Sequence, residues 1–166
     1  MILRETKQAP LTHEEMDSNF KSVMNLDNMF YAEERTTSNV ASVSNTWTSR
    51  NLNTVVINNI PGVSLSNKEI TIPSGKYWIE ACALARQVDA HNIKVDTIIG
   101  LLGSAANSTN GASHTFLNGY LEKQNQSIIK LEHWANASHN IGFGWNTISG
   151  TPYNVTSFIK IWKIGE

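Results

Sequence analysis

The chain has 166 residues and a formal net charge of −1, which argues against the basic surface that nucleic-acid binding requires. Only 16% of its residues are charged, against roughly a quarter in ordinary globular domains. Cys82 is the single cysteine, so an intrachain disulfide is excluded. No apolar run reaches membrane-spanning length. We therefore expect a soluble protein without membrane insertion, made in a reducing cytoplasm.

The first predicted element is a helix that begins in the stretch LTHEEMDSNF, residues 11–20. Thr12 has the position of an N-cap, and Glu15 lies three residues later as its capping-box partner. Leu11 and Met16 occupy the positions of a hydrophobic staple. The start of this helix is therefore strongly specified.

The apolar positions after this helix start fit about two heptads of a helical seam, short of the three or four that identify a coiled coil. They are Met16, Phe20, Val23 and Phe30. One interpretation is a stub through which copies of the chain associate, and the other is an amphipathic helix packed on its own domain. We favour the stub, because Asn and Asp near the seam suit a short oligomer better than a core. This N-terminal helical segment, residues 1–35, is followed by a polar linker or arm at 36–53.

Short apolar runs separated by turn residues occupy the rest of the chain, residues 54–166. Such spacing predicts an antiparallel β-sandwich or barrel. The predicted strands are 54–57, 69–72, 76–85, 93–102, 115–122, 127–134, 141–145 and 155–164.

The last predicted strand, VTSFIKIWKI, is apolar on both faces. Phe158, Trp162 and Ile164 alternate onto one face, and Ile159 and Ile161 alternate onto the other. An antiparallel strand with one wet face should be apolar on one side only. This strand is therefore either central in a sandwich or buried against another subunit, and its place at the end of the chain favours the second interpretation.

Several stretches resemble known phage proteins. LTHEEMDSNF resembles a motif near the N-terminus of many phage tail-fibre proteins. WTSRNLNT (47–54), IPSGKYWIEACALARQVDAH (72–91), IKLEHWA (129–135), IGFGW (141–145) and the closing IKIWKI resemble the jelly-roll tip domain of phage and prophage fibres. That domain is similar in architecture to tumour-necrosis-factor-like trimers. Leu84 and Arg86 depart from the family pattern, which has Ala-Pro before an aromatic residue there.

The resemblance implies a mainly β protein, with a jelly-roll tip domain at 54–166 behind a short helical stub at 1–35 for attachment and early trimerisation. It implies a homotrimeric tail fibre or spike on a virion assembled in the host cytoplasm. The N-terminal segment would dock on tail, baseplate or collar proteins, and the tip would bind a host cell-surface polysaccharide. The alternative is a purely structural collar, baseplate or capsid decoration protein. The predicted interface residues are Met16, Phe20, Val23, Phe30, Phe158 and Trp162.

Two tryptophans are candidates for glycan binding. Trp134 and Trp145 each end a predicted strand beside a polar loop, where an indole ring can stack on a sugar. Asn136, Asn107 and Asn110 lie in the loops 103–113 and 135–140, where amides can supply hydrogen bonds. We expect both loops at the distal, exposed end of the tip. In the alternative interpretation, the two indoles fasten the loops to the core.

Neither metal binding nor catalysis is expected from the motifs. The histidines lack the H-x-H and H-E-x-x-H spacings of metal sites, so no metal or cofactor is predicted. The sequence has no G-x-S-x-G elbow and no glycine-rich phosphate loop. Paired surface charge is sufficient to explain the carboxylates in the predicted strands. We therefore expect a binding or structural protein and not an enzyme.

Overall fold

The computed structural model describes residues 26–96, 100–144 and 151–166, together with Pro10 and Thr12. Of the predicted helical seam, Met16, Phe20 and Val23 lie outside the described residues, so the helical stub stays a prediction. The first described element is a short 3-10 turn at Leu26–Asn28.

Thirteen strands follow this turn among the described residues. They are β1 (Met29–Thr36), β2 (Thr48–Ser49), β3 (Thr54–Asn58), β4 (Ser64–Ser66), β5 (Glu69–Ile72), β6 (Gly75–Arg86), β7 (Ala90–Val95), β8 (Leu101–Leu102), β9 (Ala106–Asn107), β10 (Ala112–Lys123), β11 (Ser127–Ile129), β12 (Leu131–Ala135) and β13 (Asn154–Gly165).

The strands form an antiparallel jelly-roll β-sandwich, which confirms the predicted fold class. The first sheet has the strand order β10-β6-β13-β1-β3, and the second has the order β2-β12-β7-β8, with β9 also paired to β7. A three-stranded ribbon has the order β11-β5-β4. Strands that are far apart in the sequence are neighbours in the sheets. The pairing of β1 with β13, for example, brings the two ends of the sandwich sequence side by side.

The sandwich starts earlier than the sequence predicted. Strand β1 begins at Met29, inside the segment expected to be helical, and pairs with β13 and β3. Phe30 is fully buried in the core of its own sandwich, so its assignment to the helical subunit seam is wrong. The spacing of Phe30 from Val23 fits a helix, whereas the alternate placing of buried Phe30, Ala32 and Glu34 fits a strand. The long-range pairing of β1 with β13 and β3 decides in favour of the strand.

Two further predicted boundaries are corrected. The expected arm at 36–53 is part of the sandwich, because β2 pairs with β12 and the Arg50 side chain is buried. The expected strand at 141–145 is a turn up to Phe143, with Gly144 bridging to Val40. The glycines in IGFGW allow this close turn, where the sequence pattern alone indicated a strand.

The main core lies between the two sheets. Ile159 and Ile161 of β13 are fully buried in it, together with Tyr77 of β6. Tyr77 Oη satisfies its hydroxyl by donating a hydrogen bond to Pro73 O at 2.8 Å. A second, smaller core cluster contains Ala85, Val88, Ala135 and Phe143, with Val40 packed against it. The apolar interior is thus divided into two parts.

The two ends of the sandwich differ. Six strand termini meet at one end, which we call the loop end: Thr36, Arg86, Ala90, Ala112, Ala135 and Asn154. The segments 37–47, 87–89, 108–111 and 136–144 are hydrogen-bonded to one another there, for instance through Ala137 N to Val88 O and Gln87 N to Gly111 O. The chain enters the sandwich at Met29, paired with Trp162 at the opposite end.

Burial on β11 predicts a large difference between two neighbouring isoleucines. Ile129 is 1% exposed and Ile128 is 56% exposed. Replacing a buried isoleucine by alanine costs about 2 to 5 kcal/mol of unfolding free energy, because methyl groups leave the core and a cavity remains. We expect Ile129→Ala to lower the urea midpoint strongly and Ile128→Ala to lower it little, at equal protein concentration. Equal losses in the two variants would contradict this packing.

Candidate functional site

The outward side of the first sheet carries a patch of aromatic side chains that we call the aromatic face: Phe116, Tyr120, Trp78, Phe158 and Trp162. Trp162, Trp78 and Tyr120 are register partners across β13, β6 and β10. Phe158 and Phe116 flank Cys82 in a second row. The exposed fractions are 40% for Trp78, 46% for Tyr120 and 59% for Phe116. A contiguous patch of this kind on a monomer marks an interaction surface.

Polar groups lie between the two aromatic rows. Lys160 faces Tyr31 on β1 and Glu80 on β6, and its Nζ lies 5.5 Å from the Tyr31 ring centroid and 5.4 Å from that of Phe158. The face therefore combines large rings with a few charges, a composition typical of interface cores with polar neighbours.

Inside the sandwich, Arg50 forms a buried ion pair with Glu34. Arg50 Nε donates to Glu34 Oε2 at 2.7 Å, Nη2 lies 2.7 Å from the same oxygen, and Ser157 Oγ donates to it at 2.8 Å. Arg50 Nη2 also donates to Phe143 O at 2.6 Å. Burial lowers the pKa of Arg50, and the Glu34 carboxylate opposes that effect. The guanidinium thus links the first sheet to the loop that carries Phe143.

Two buried histidines continue this chain. Arg50 Nη1 lies 3.4 Å from His133 Nδ1, His133 Nε2 lies 3.0 Å from His91 Nδ1, and His91 Nε2 lies 2.7 Å from Ser113 Oγ. Because a guanidinium can only donate, we assign His133 Nδ1 and His91 Nδ1 as acceptors. Burial lowers the pKa of His91 to about 4 and that of His133 well below its ordinary value, so both rings are neutral near pH 7. We call Glu34, Arg50, His133, His91 and Ser113 the polar chain.

The contact between Ser113 and His91 has the distance of a nucleophile and its base, but the polar chain opposes that chemistry. In the assigned direction His91 Nε2–H donates to Ser113 Oγ, so this nitrogen cannot accept the hydroxyl proton. A hydrolase triad places a carboxylate behind the histidine to stabilise the imidazolium, whereas Arg50 lies behind this pair. The arrangement suits a structural tie between the two sheets.

Several of the predicted glycan-binding residues share one surface of the second sheet. Trp134 is half-buried on β12 and pairs with Asn92, on the side opposite to inward-facing His133. Asn107 pairs with Ala90, and the backbone N–H of Asn136 donates to Ala90 O at 2.9 Å. Trp134, Asn136, Asn107 and Asn92 therefore lie on the outward side near the loop end, and we call them the Trp134 surface. Asn110 lies on the adjoining exposed turn, and Trp145 lies outside the described residues.

The sequence reasoning missed the polar groups beside this surface. Lys94 Nζ lies 4.4 Å from the Trp47 ring centroid and 3.2 Å from Glu132 Oε2, an ion pair without hydrogen-bond geometry. Glu132 and Lys94 are register partners two residues along from Trp134 and Asn92, on the same side of the sheet. Trp47 was visible as the one large apolar residue of the polar arm, but its place became clear only through the pairing of β2 with β12.

Within the described ranges, no three His, Cys, Asp or Glu side chains are grouped to hold a metal ion. The described part of the chain also contains no helix long and apolar enough to cross a membrane.

No protein-family model and no curated protein matches the sequence. Solved structures do share the fold. Murine APRIL is 12% identical, with a TM-score of 0.52 and coverage of 82% of this chain and 98% of that chain. The globular domain of zebrafish complement 1qA is 12% identical, with a TM-score of 0.54 and coverage of 82% and 96%. PRD1 vertex protein P5 is 15% identical, with a TM-score of 0.55 and coverage of 82% and 96%.

Identities this low establish the fold alone. The described chain is a jelly-roll domain of the architecture shared by tumour-necrosis-factor-like and C1q-like proteins. This confirms the architecture that the sequence resemblance implied.

The buried ion pair predicts a large mutational effect. Replacing Arg50 by methionine leaves Glu34 buried without its partner, which costs about 3 to 5 kcal/mol. Lys130→Met is the matched control, because it breaks a half-exposed pair with Glu69, and such pairs contribute at most about 1 kcal/mol. Urea unfolding of both variants measures the difference. Similar losses would show that the polar chain does not tie the sheets together.

Proposed function

We propose that the chain is a homotrimeric fibre or spike component of a phage-like particle, whose jelly-roll domain is a tip that binds a host-surface glycan. The observation that carries this proposal is the aromatic face. Three of its five rings are 40% or more exposed, and they lie on a five-stranded sheet that a second copy can cover. The resemblance of LTHEEMDSNF to fibre proteins and the fold shared with PRD1 vertex protein P5 support it.

In this proposal the aromatic face is buried between the copies. Phe158 and Trp162, which the sequence placed on one apolar face of the last strand, belong to this patch, and Trp78 adds to it. Burying an aromatic side chain removes a large apolar area from water, so a few such rings per copy drive association. The charges of Lys160 and Glu80 then set how the copies align.

The orientation of the domain supports a division of roles. The chain enters the sandwich at Met29, and the loop end is opposite. An N-terminal segment that docks on tail, baseplate or collar proteins therefore leaves the loop end distal. The Trp134 surface near that end supplies an indole for stacking and three amides for hydrogen bonding, which suit a polysaccharide.

The second candidate is a purely structural collar, baseplate or capsid decoration protein. The aromatic face supports this candidate equally, because a purely structural role requires only self-association. Glycan binding separates the two: a structural protein trimerises without it.

Trimerisation predicts a mass of about three times 18.4 kDa by light scattering at micromolar concentration. Trp78→Asp should reduce this mass, since a carboxylate would be placed in the buried interface. Leu102→Asp is the control, because Leu102 is 64% exposed on the second sheet and outside the aromatic face. A monomeric wild-type protein, or equal behaviour of the two variants, would contradict the assignment of the interface.

Glycan binding is tested with Trp134→Ala on an array of bacterial surface polysaccharides. Stacking on a well-placed ring contributes roughly 1 to 3 kcal/mol in base recognition, so we expect binding to fall about tenfold or more. The melting temperature should change little, because Trp134 points away from the core. Ile128→Ala, at the exposed side of β11, is the control. A wild-type trimer that binds no polysaccharide would leave the structural candidate in first place.

A further inference from the structure

The polar chain lies at the boundary between the two core clusters. His133 stacks on Phe143 with ring centroids 4.3 Å apart, and Arg50 donates to Phe143 O. Phe143 belongs to the smaller cluster at the loop end, whereas the residues around Ile159 and Ile161 belong to the main core. Two contacts of the polar chain thus hold Phe143 in place.

Backbone hydrogen bonds connect the loop of Phe143 to the segment 37–47. Val40 N donates to Gly144 O at 2.8 Å, Phe143 N donates to Val40 O at 2.9 Å, and Ser42 N donates to His139 O at 2.9 Å. Segments 37–47 and 136–144 would therefore move together if Phe143 were released. We call these two segments the loop-end flap.

We propose that the loop-end flap opens as a unit in mild acid, released by protonation of the His91–His133 pair, while the main core stays folded. The cause is geometric. His133 Nδ1 faces the Arg50 guanidinium and its Nε2 faces His91, so an added proton removes an acceptor and places like charges in contact. This inference concerns the single sandwich and does not depend on trimerisation or glycan binding.

The charged and titratable groups nearest the pair, Arg50 and His114, oppose a positive charge on it. His91 is approached by His133 from β12, by Ser113 and His114 from β10, and by Arg50 from beyond β2. His133 is approached by Arg50 and by the Phe143 ring. Cys82 on β6 is neutral, since burial raises its pKa to about 11.

The Glu34 carboxylate on β1 does not offset this charge on the histidines. Arg50 and Ser157 already donate to its Oε2 atom, and Arg50 separates it from the histidine pair.

The sign of the pH effect follows from linkage. His91 has a pKa of about 4 when folded, against an ordinary value of 6.5, so the closed flap binds fewer protons than the open one between these values. The contribution of neutral His91 to the stability of the closed flap is fully present above pH 6.5 and is lost as the pH falls toward 4. If opening of the flap restores the ordinary value, His91 raises the opening equilibrium by at most about 20-fold between pH 7 and pH 5. His133 acts in the same direction.

The test is hydrogen–deuterium exchange of the full chain at pH 7 and pH 5, corrected for the intrinsic pH dependence of exchange. We expect the ratio of opening at pH 5 to that at pH 7 to lie well above one in peptides from 37–47 and 136–144, on the order of 10. Peptides from residues 75–85 of β6 should stay protected at both values, whereas Arg86 N donates to Gly142 O of the flap. The His91→Gln variant removes one proton-binding ring and keeps an amide, so its ratio should fall well below the wild-type ratio.

Comparing ratios within each variant removes any loss of stability that the substitution causes at pH 7. His114→Gln is the comparison variant: His114 lies exposed on the neighbouring strand β10 and adds to the lowering of the His91 pKa, so this variant should reduce the ratio less than His91→Gln does. The proposal is overturned if the wild-type ratio stays near one, if His91→Gln keeps the full wild-type ratio, or if residues 75–85 of β6 lose protection together with the flap.

Discussion

The position of β13 at the centre of the first sheet is the constraint on which the rest of the structure depends. This last strand pairs with β1 on one side and with β6 on the other. Its inward side chains, Ile159 and Ile161, fill the main core, and its outward side chains, Phe158 and Trp162, lie in the aromatic face. One strand therefore couples the stability of the sandwich to the surface that we propose associates.

The same pairing explains why the sandwich has two unlike ends. Joining the first and last strands brings the chain's entry point and its C-terminus to one end and leaves the crossover segments at the other. The loop end cannot be closed by apolar side chains alone, because many backbone turns converge there and their polar groups require partners. A small apolar cluster and the polar chain share this task. We propose this loop end both as the place for recognition and as the part of the domain that responds to protonation.

The polar chain also shows how burial changes the meaning of familiar residue types. A serine, two histidines, an arginine and a glutamate would suggest catalysis if they lined a cleft. Here these residues connect opposite sheets. The direction of their hydrogen bonds is set by the Arg50 guanidinium, which can only donate. Burying charged and polar groups is tolerated when each of them has a hydrogen-bond or ionic partner. The polar chain therefore fixes the alignment of the two sheets more than it contributes to net stability.

The sequence by itself determined the β class, the bounds of β5 and close approximations to β6, β10 and β13, and the two-faced nature of the last strand, because alternation and turn residues are local signals. Only the tertiary structure decided that Phe30 lies in the core, that Arg50 meets Glu34 and His133, and that Trp47, Asn92 and Trp134 share a surface. These relations join residues far apart in the chain. They depend on which strands become neighbours, and long-range pairing can override a local helical pattern such as the one that ended at Phe30.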